Sequence, residues 1–212
     1  AGARATVEPK LTWLQTRFEL DAAQLGKMVV RLPSLLTKSV ESMESNCDWF
    51  QRRLGLDEAQ LKKVVFRCPP VLHYSVEDNL APTLDWLQTR LDLNDSGLRK
   101  IVLRFPSLLY YSVEDNMAPK LEWLQTRLDL DDAGLRKTVL RPAVLSLSVE
   151  DNLAPKLDWL QTRLDLDDAQ LRKMVLQIPA VLGCSIEDKM EPTLDWLQRR
   201  LGLDDAGLRK MV

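Results

Sequence analysis

Six tryptophans mark off the chain at nearly equal intervals: Trp13, Trp49, Trp86, Trp123, Trp159 and Trp196, spaced 36, 37, 37, 36 and 37 residues apart. A fixed period of this length means that each stretch is one supersecondary unit. Such a unit cannot bury its apolar face alone, so the copies must stack and share a core. The words around the tryptophan recur as well, as in "SVEDNLAPTLDWLQTRLDL" from Ser75 and "SVEDNLAPKLDWLQTRLDL" from Ser148. The reading is one array over 1–212, with units of roughly 1–38, 39–74, 75–111, 112–147, 148–184 and a truncated 185–212. One-residue deletions account for the two short spacings. One lies in "SVESMESNCDWF", which also lacks the proline of its sisters, and the other in "LRPAVL". The first residue is not Met and Val212 falls inside an apolar periodic segment, so the sequence reads as a fragment.

Within a unit the pattern is helical throughout. In the copy from Ser75 to Tyr111, Ser75 and Asp78 have the spacing of a capping box and predict a short helical turn. Pro82 has no N–H and clashes one turn back, so that turn should end there and a new helix A should begin at Pro82. Leu84, Leu87 and Leu91 then share one face. Asn94 is the predicted N-cap of helix B, with Asp57, Asp131, Asp167 and Asp204 in the other copies. Leu98, Ile101, Val102 and Phe105 form its stripe, and Pro106 ends it. Val30, Phe66, Leu103, Leu140 and Leu176 form a further apolar column, expected to pack between neighbouring units. The fold class is therefore an all-α helical-repeat solenoid.

Chemistry has little to stand on. His73 is the single histidine, and no cysteine or carboxylate lies near it at ligand or catalytic spacing. There is no Gly cluster to cradle phosphate. The recurring "LDD" and "VED" pairs sit at helix starts, where negative charge meets the positive end of the backbone dipole. Cys47, Cys68 and Cys184 are odd in number and far apart, which argues against a disulfide framework or a zinc site and for a reducing compartment. No apolar run approaches the roughly 18 residues of a membrane span. No enzyme, metal, cofactor, small-molecule substrate or membrane partner is expected.

The basic residues carry the functional reading. With 29 Lys and Arg against 31 Asp and Glu, bulk charge does not announce a polyanion binder, so arrangement must. Arg17, Arg53, Arg90, Arg127, Arg163 and Arg200 end helix A in all six copies. Lys27, Lys63, Lys100, Lys137, Lys173 and Lys210 recur in the first half of helix B. Arg31, Arg67, Arg104 and Arg141 follow one turn later, and Gln177 breaks that column. Stacking brings these columns into a strip of positive charge, whereas the acids gather at turns and helix starts. The same cations would also serve simply to complement helix dipoles on a solvated face. Trp86 reads either as a wedge between units, with Pro82 below and Arg90 over its ring, or as a base-stacking surface.

The repeated L-x-W-L-x-x-x-L-x-L-D/N-D-x-x-L-x-K-x-V, followed by R-x-P-x-L-L and S-V-E-D-N-L-x-P, resembles the motif of the mTERF (mitochondrial transcription termination factor) family. Leu91–Leu124 is the clearest instance, and the resemblance covers nearly the whole chain. It implies units of two α-helices and a short 3₁₀ turn, stacked as a left-handed superhelix with a basic groove. It also implies binding of double-stranded DNA, or of RNA, in mitochondria or chloroplasts, for transcription termination, initiation or its regulation, or for organellar RNA processing and ribosome assembly. The expected nucleic-acid contacts are Arg53, Lys63, Arg67, Arg90, Lys100, Arg104, Arg127, Lys137, Arg141, Arg163, Lys173, Arg200 and Lys210. Uniform columns of this kind read phosphate and not base sequence. At about 10 Å per unit, five steps would cover on the order of 15 base pairs. A protein-interaction scaffold, with the charges merely solubilising it, is the alternative.

Overall fold

The computed structural model describes residues 2–139 and 144–210. Twelve α-helices occur among the described residues: α1 (Gly2–Arg17), α2 (Ala22–Arg31), α3 (Val40–Leu54), α4 (Glu58–Arg67), α5 (Ala81–Arg90), α6 (Asp95–Arg104), α7 (Ala118–Arg127), α8 (Asp132–Val139), α9 (Ala154–Leu164), α10 (Asp168–Gln177), α11 (Glu191–Leu201) and α12 (Asp205–Lys210). Odd-numbered helices are helix A of a repeat and even-numbered ones helix B; no strand occurs among the described residues. The chain forms two compact units of three repeats each, 1–111 and 112–212, divided in the sequence at a repeat boundary.

The caps are where the side chains place them. Asp21, Asp57, Asn94, Asp131, Asp167 and Asp204 each accept a hydrogen bond from the backbone N–H three residues on, at 2.7–2.8 Å. Asp21, Asp57 and Asp167 complete capping boxes with Gln24, Gln60 and Gln170. Helix B stops before its proline, and 3₁₀ turns follow at Pro33–Thr37, Pro69–Leu72, Pro106–Tyr110, Val144–Ser146 and Pro179–Gly183. The "LRPAVL" deletion, Leu140 and Arg141 lie outside the described residues.

The entry to helix A differs from expectation. Ser75 caps the Asp78 N–H, but the chain does not break before Pro82; Val76–Leu80 is a π turn that runs directly into α5. Its signature is the Leu80 N–H donating five residues back to the Ser75 carbonyl at 3.1 Å. The same bond recurs from Met117 to Ser112, Leu153 to Ser148 and Met190 to Ser185, each at 3.0 Å. A π turn holds one residue more than an α turn and shifts the hydrogen-bond register, so the proline ring no longer meets the carbonyl it would strike in a straight helix. The repeat beginning at Ser39 lacks both the proline and one residue. There the Met43 N–H donates four residues back to Ser39, and α3 is regular from its first turn. The 36-residue spacing between Trp13 and Trp49 is therefore the absence of one π turn.

The core is the predicted stripe. Leu84, Leu87, Leu98 and Val102 are fully buried, and Leu91 and Ile101 are 2% exposed. The further column of helix B is not a packing face in every copy. Leu103 and Leu176 are half-buried, but Val30 is 81% and Phe66 40% exposed. A second apolar face on a wheel does not specify a neighbour, and here part of it points to water. A clasp closes four of the repeats. Lys10, Asn46, Lys120 and Lys156, three residues before the tryptophan, donate to carbonyls of their own repeat's 3₁₀ segment: Leu36 (2.5 Å), Val71 and Tyr74 (3.1 and 2.9 Å), Leu145 (2.7 Å) and Leu182 (2.6 Å). Lys120 and Lys156 are buried, and desolvation pulls both ammonium pKa values below the usual 10.5.

Candidate nucleic-acid interface

The structure sorts the basic residues by what they touch. Arg17, Arg53, Arg127 and Arg163, each ending a helix A, are half-buried and turned toward the next repeat. Arg53 donates to Asp85 and Gln88, both at 2.7 Å, and lies 3.8 Å from Asp95. Arg127 donates to Asp158 at 3.1 Å and Gln161 at 2.7 Å, and lies 3.5 Å from Asp168. Arg163 repeats the pattern with Asp195 and Gln198, and Arg17 does so with Glu44 and Glu58. The Glu58 contact, with Glu44 beside it, drives the Arg17 guanidinium pKa up, and the same contact lowers that of Glu58. Each arginine thus binds helix A of the following repeat and, where Asp95, Asp168 or Glu58 is reached, the start of its helix B. The expected phosphate role of Arg53, Arg127 and Arg163 meets a geometric obstacle, because carboxylates already hold their guanidinium groups. Arg90 is half-buried at the same position, and Arg200 is exposed on α11.

A second basic column, which the sequence reading passed over, does the converse job. Lys62, Arg99, Arg172 and Arg209 reach back to the end of the preceding helix A. Their acceptors lie at or just past the end of helix A of the preceding repeat: the carbonyls of Glu19 (3.4 Å), Leu54 (2.6 Å), Asp129 (2.9 Å) and Leu164 (3.1 Å). Lys62, Arg172 and Arg209 also pair with the Glu19, Asp129 and Asp165 carboxylates. These contacts satisfy carbonyls that a helix end leaves without partners. Glu19, Asp129 and Asp165 hold positive φ of 46–49°, at the position where Gly55 has 60°. The available signal was a basic residue immediately before five of the six helix-B lysines, Lys27 alone following a glycine.

What remains is the predicted lysine column. Lys27, Lys63, Lys100, Lys137 and Lys173 are exposed and, among the described residues, make no hydrogen bond or ion pair; Arg31, Arg67 and Arg104, one turn on, are the same. The unit 1–111 brings six of these cations onto the open faces of α2, α4 and α6. The unit 112–212 contributes Lys137 on α8 and Lys173 on α10. Arg141 lies outside the described residues, and the side chain of Lys210 is not described.

The tryptophans are not free stacking surfaces in the first five repeats. Trp13, Trp49, Trp86, Trp123 and Trp159 are half-buried, and Trp13 donates its indole N–H to Glu44 at 2.9 Å. The expected arginine over the ring is absent; among the described residues, the one such contact is Arg17 over Phe18, at 5.7 Å. No cluster of His, Cys, Asp and Glu suited to a metal occurs among the described residues, and no described helix is long and apolar enough to cross a membrane.

Comparison with curated proteins found no match. The mTERF family profile, in contrast, matches residues 3–163. Together with the repeated helix pairs and their 3₁₀ turns, this shows that the chain belongs to the mTERF family, whose members are generally organellar, non-enzymatic helical-repeat proteins that bind nucleic acid and regulate expression.

Proposed function

We propose that this chain binds double-stranded DNA along the open faces of its second helices and acts, without catalysis, in transcription termination or its regulation in a mitochondrion or chloroplast. The observation that carries the reading is the division of labour among cations. The helix-A arginines whose contacts are described hold carboxylates, whereas Lys27, Lys63, Lys100, Lys137 and Lys173 and the arginines Arg31, Arg67 and Arg104 face solvent with no hydrogen bond or ion pair among the described residues. A charge left without a partner at the same place in successive repeats is available to a partner that is itself periodic and anionic. The near-neutral net charge fits this arrangement. Many of the acids are used inside the array, so local potential on the open faces is not set by the total. Phosphate contacts of this kind fix position and not sequence.

The test is charge reversal on the open faces. Lys100→Glu, Lys137→Glu and Lys173→Glu together should sharply weaken binding to a duplex of about 15 base pairs while leaving the helical circular dichroism unchanged. Affinity that this triple change leaves as it was removes the reading. The alternative, a protein-interaction scaffold, draws on the exposed Ile178, Trp196 and Leu201, which are 51%, 57% and 54% accessible. A pull-down recovering a protein and no nuclease-sensitive material would favour it.

A further inference from the structure

We propose that the edge of the unit 1–111 formed by His73, Tyr74, Tyr110 and Tyr111 docks a basic segment of a protein partner, holding a lysine or arginine side chain against the tyrosine rings with Glu77 and Asp78 beside them. None of the cations assigned to the duplex takes part. Placement is the first sign. The chain has three tyrosines and one histidine, and all four occupy the two positions before the capping serine in successive repeats, ahead of Ser75 and of Ser112. The same positions hold Thr37 and Lys38, Ser146 and Leu147, and Gly183 and Cys184 elsewhere. The fold thus accepts small, aliphatic or charged side chains there, and packing alone does not call for aromatic ones.

The rings are gathered and partly open to water. Tyr110 and Tyr111 meet edge to face with centroids 5.3 Å apart. Tyr110 is 37% exposed, and His73, Tyr74 and Tyr111 are half-buried. Burial, then Cys68 and Tyr110, raise the Tyr74 phenol pKa, and burial, then Tyr110, raise that of Tyr111, so Tyr110 lies within electrostatic reach of both. The π turn Val76–Leu80 packs against the 3₁₀ segment Pro106–Tyr110, which brings Glu77 and Asp78 to this edge. Both acids are exposed, and Asp78 accepts from the Ser75 hydroxyl at 2.8 Å. Neither pairs with a cation among the described residues. An aromatic face is the negative part of the ring's quadrupole, so rings with unpaired carboxylates beside them attract a cation. Tyrosine is also enriched where proteins meet, because it supplies a large, rigid contact at little entropic cost. Charge complementarity selects a basic peptide over DNA, whose phosphates would face two carboxylates.

The test uses the full chain and two fluorescent peptides of equal length, one alternating Arg with Gly and the other Gln with Gly. The Arg peptide should bind and the Gln peptide should not. Tyr110→Ser with Tyr111→Leu installs the pair that Ser146 and Leu147 already form at these positions, and circular dichroism checks the fold. That double change should weaken binding of the Arg peptide roughly 3- to 30-fold, as should Glu77→Gln with Asp78→Asn. Tyr110→Phe should retain it, and duplex DNA should not distinguish the tyrosine variants from wild type. Failure of the Arg peptide to bind, equal binding of the two peptides, or an affinity that either double change leaves as it was overturns the proposal. A loss of duplex affinity in the Tyr110→Ser, Tyr111→Leu variant overturns it too and gives the edge to nucleic acid. If the duplex fails to bind wild type while the Arg peptide binds through these tyrosines, the duplex reading falls and the protein-docking edge stands.

Discussion

Replacing Arg127 with Ala separates a structural arginine from a binding lysine. The side chain is 24% exposed, and its partners Asp158 and Asp168 are 67% and 83% exposed. Carboxylates so open to water make each ion pair worth about 0.2–1 kcal/mol. The hydrogen bond to Gln161 at 2.7 Å adds about 0.5–1.5 kcal/mol. The expected loss is therefore about 1–3 kcal/mol, which for a chain of this size lowers Tm by roughly 2–4 °C per kcal/mol. Lys137→Ala, ten residues away by sequence but unpaired, should change stability by less than about 0.5 kcal/mol. Thermal melts followed by circular dichroism give the stabilities, and fluorescence anisotropy on duplex DNA well below the melt gives the affinities. Lys137→Ala should weaken binding and Arg127→Ala should not. An Arg127→Ala variant that melts like wild type yet loses DNA would show that the guanidinium leaves its carboxylates for phosphate, and the division of labour would be wrong.

Gly55→Ala should cost about 1–2 kcal/mol in a denaturant titration, because φ there is +60° and the new Cβ would lie 2.6 Å from the Arg99 guanidinium; Gly202→Asp should be better tolerated, since Asp92, Asp129 and Asp165 adopt that conformation at equivalent positions. Burial pushes the Cys47 and Cys68 thiols up to about 12, so a thiol reagent at mildly alkaline pH should label the half-buried Cys184 first and the other two only after unfolding. Desolvation lowers the Lys156 pKa below 10.5, so folding disfavours its proton, and that cost is fully present at neutral pH. Wild type should regain stability as pH rises through the folded value toward 10.5, and Lys156→Met should gain less over the same interval.

Much of the fold was legible because the deciding interactions are local. Asp57 and Asn94 cap helices three residues away, and Pro106 ends the helix it follows. The π turn at Val76–Leu80 was not, because a capping serine and a proline seven residues on fit either a broken turn or a widened one. Comparing repeats held the clue: the copy without the proline is also one residue shorter. The site was half legible. A helical wheel places Arg53 and Lys63 on outward-facing arcs alike, but it contains no neighbouring repeat. Whether a cation meets Asp85 or solvent is fixed by the stacking offset, which no single-repeat pattern encodes. The exposure of Phe66 was hidden for the same reason, its column reading as packing until the structure showed part of it exposed.

The salt dependence of duplex affinity tests the central claim most directly. Six unpaired helix-B cations lie on the unit 1–111, and Lys137 and Lys173 on the other. At about −0.9 per phosphate neutralised, log affinity against log salt should have a slope of about −5 if the first unit alone engages and about −7 if both do. Replacing Lys63 and Lys100 with Ala should make it shallower by about 2, whereas Arg127→Ala should leave it unchanged. A slope near zero, or one that Arg127→Ala flattens and the lysine changes do not, would contradict the account.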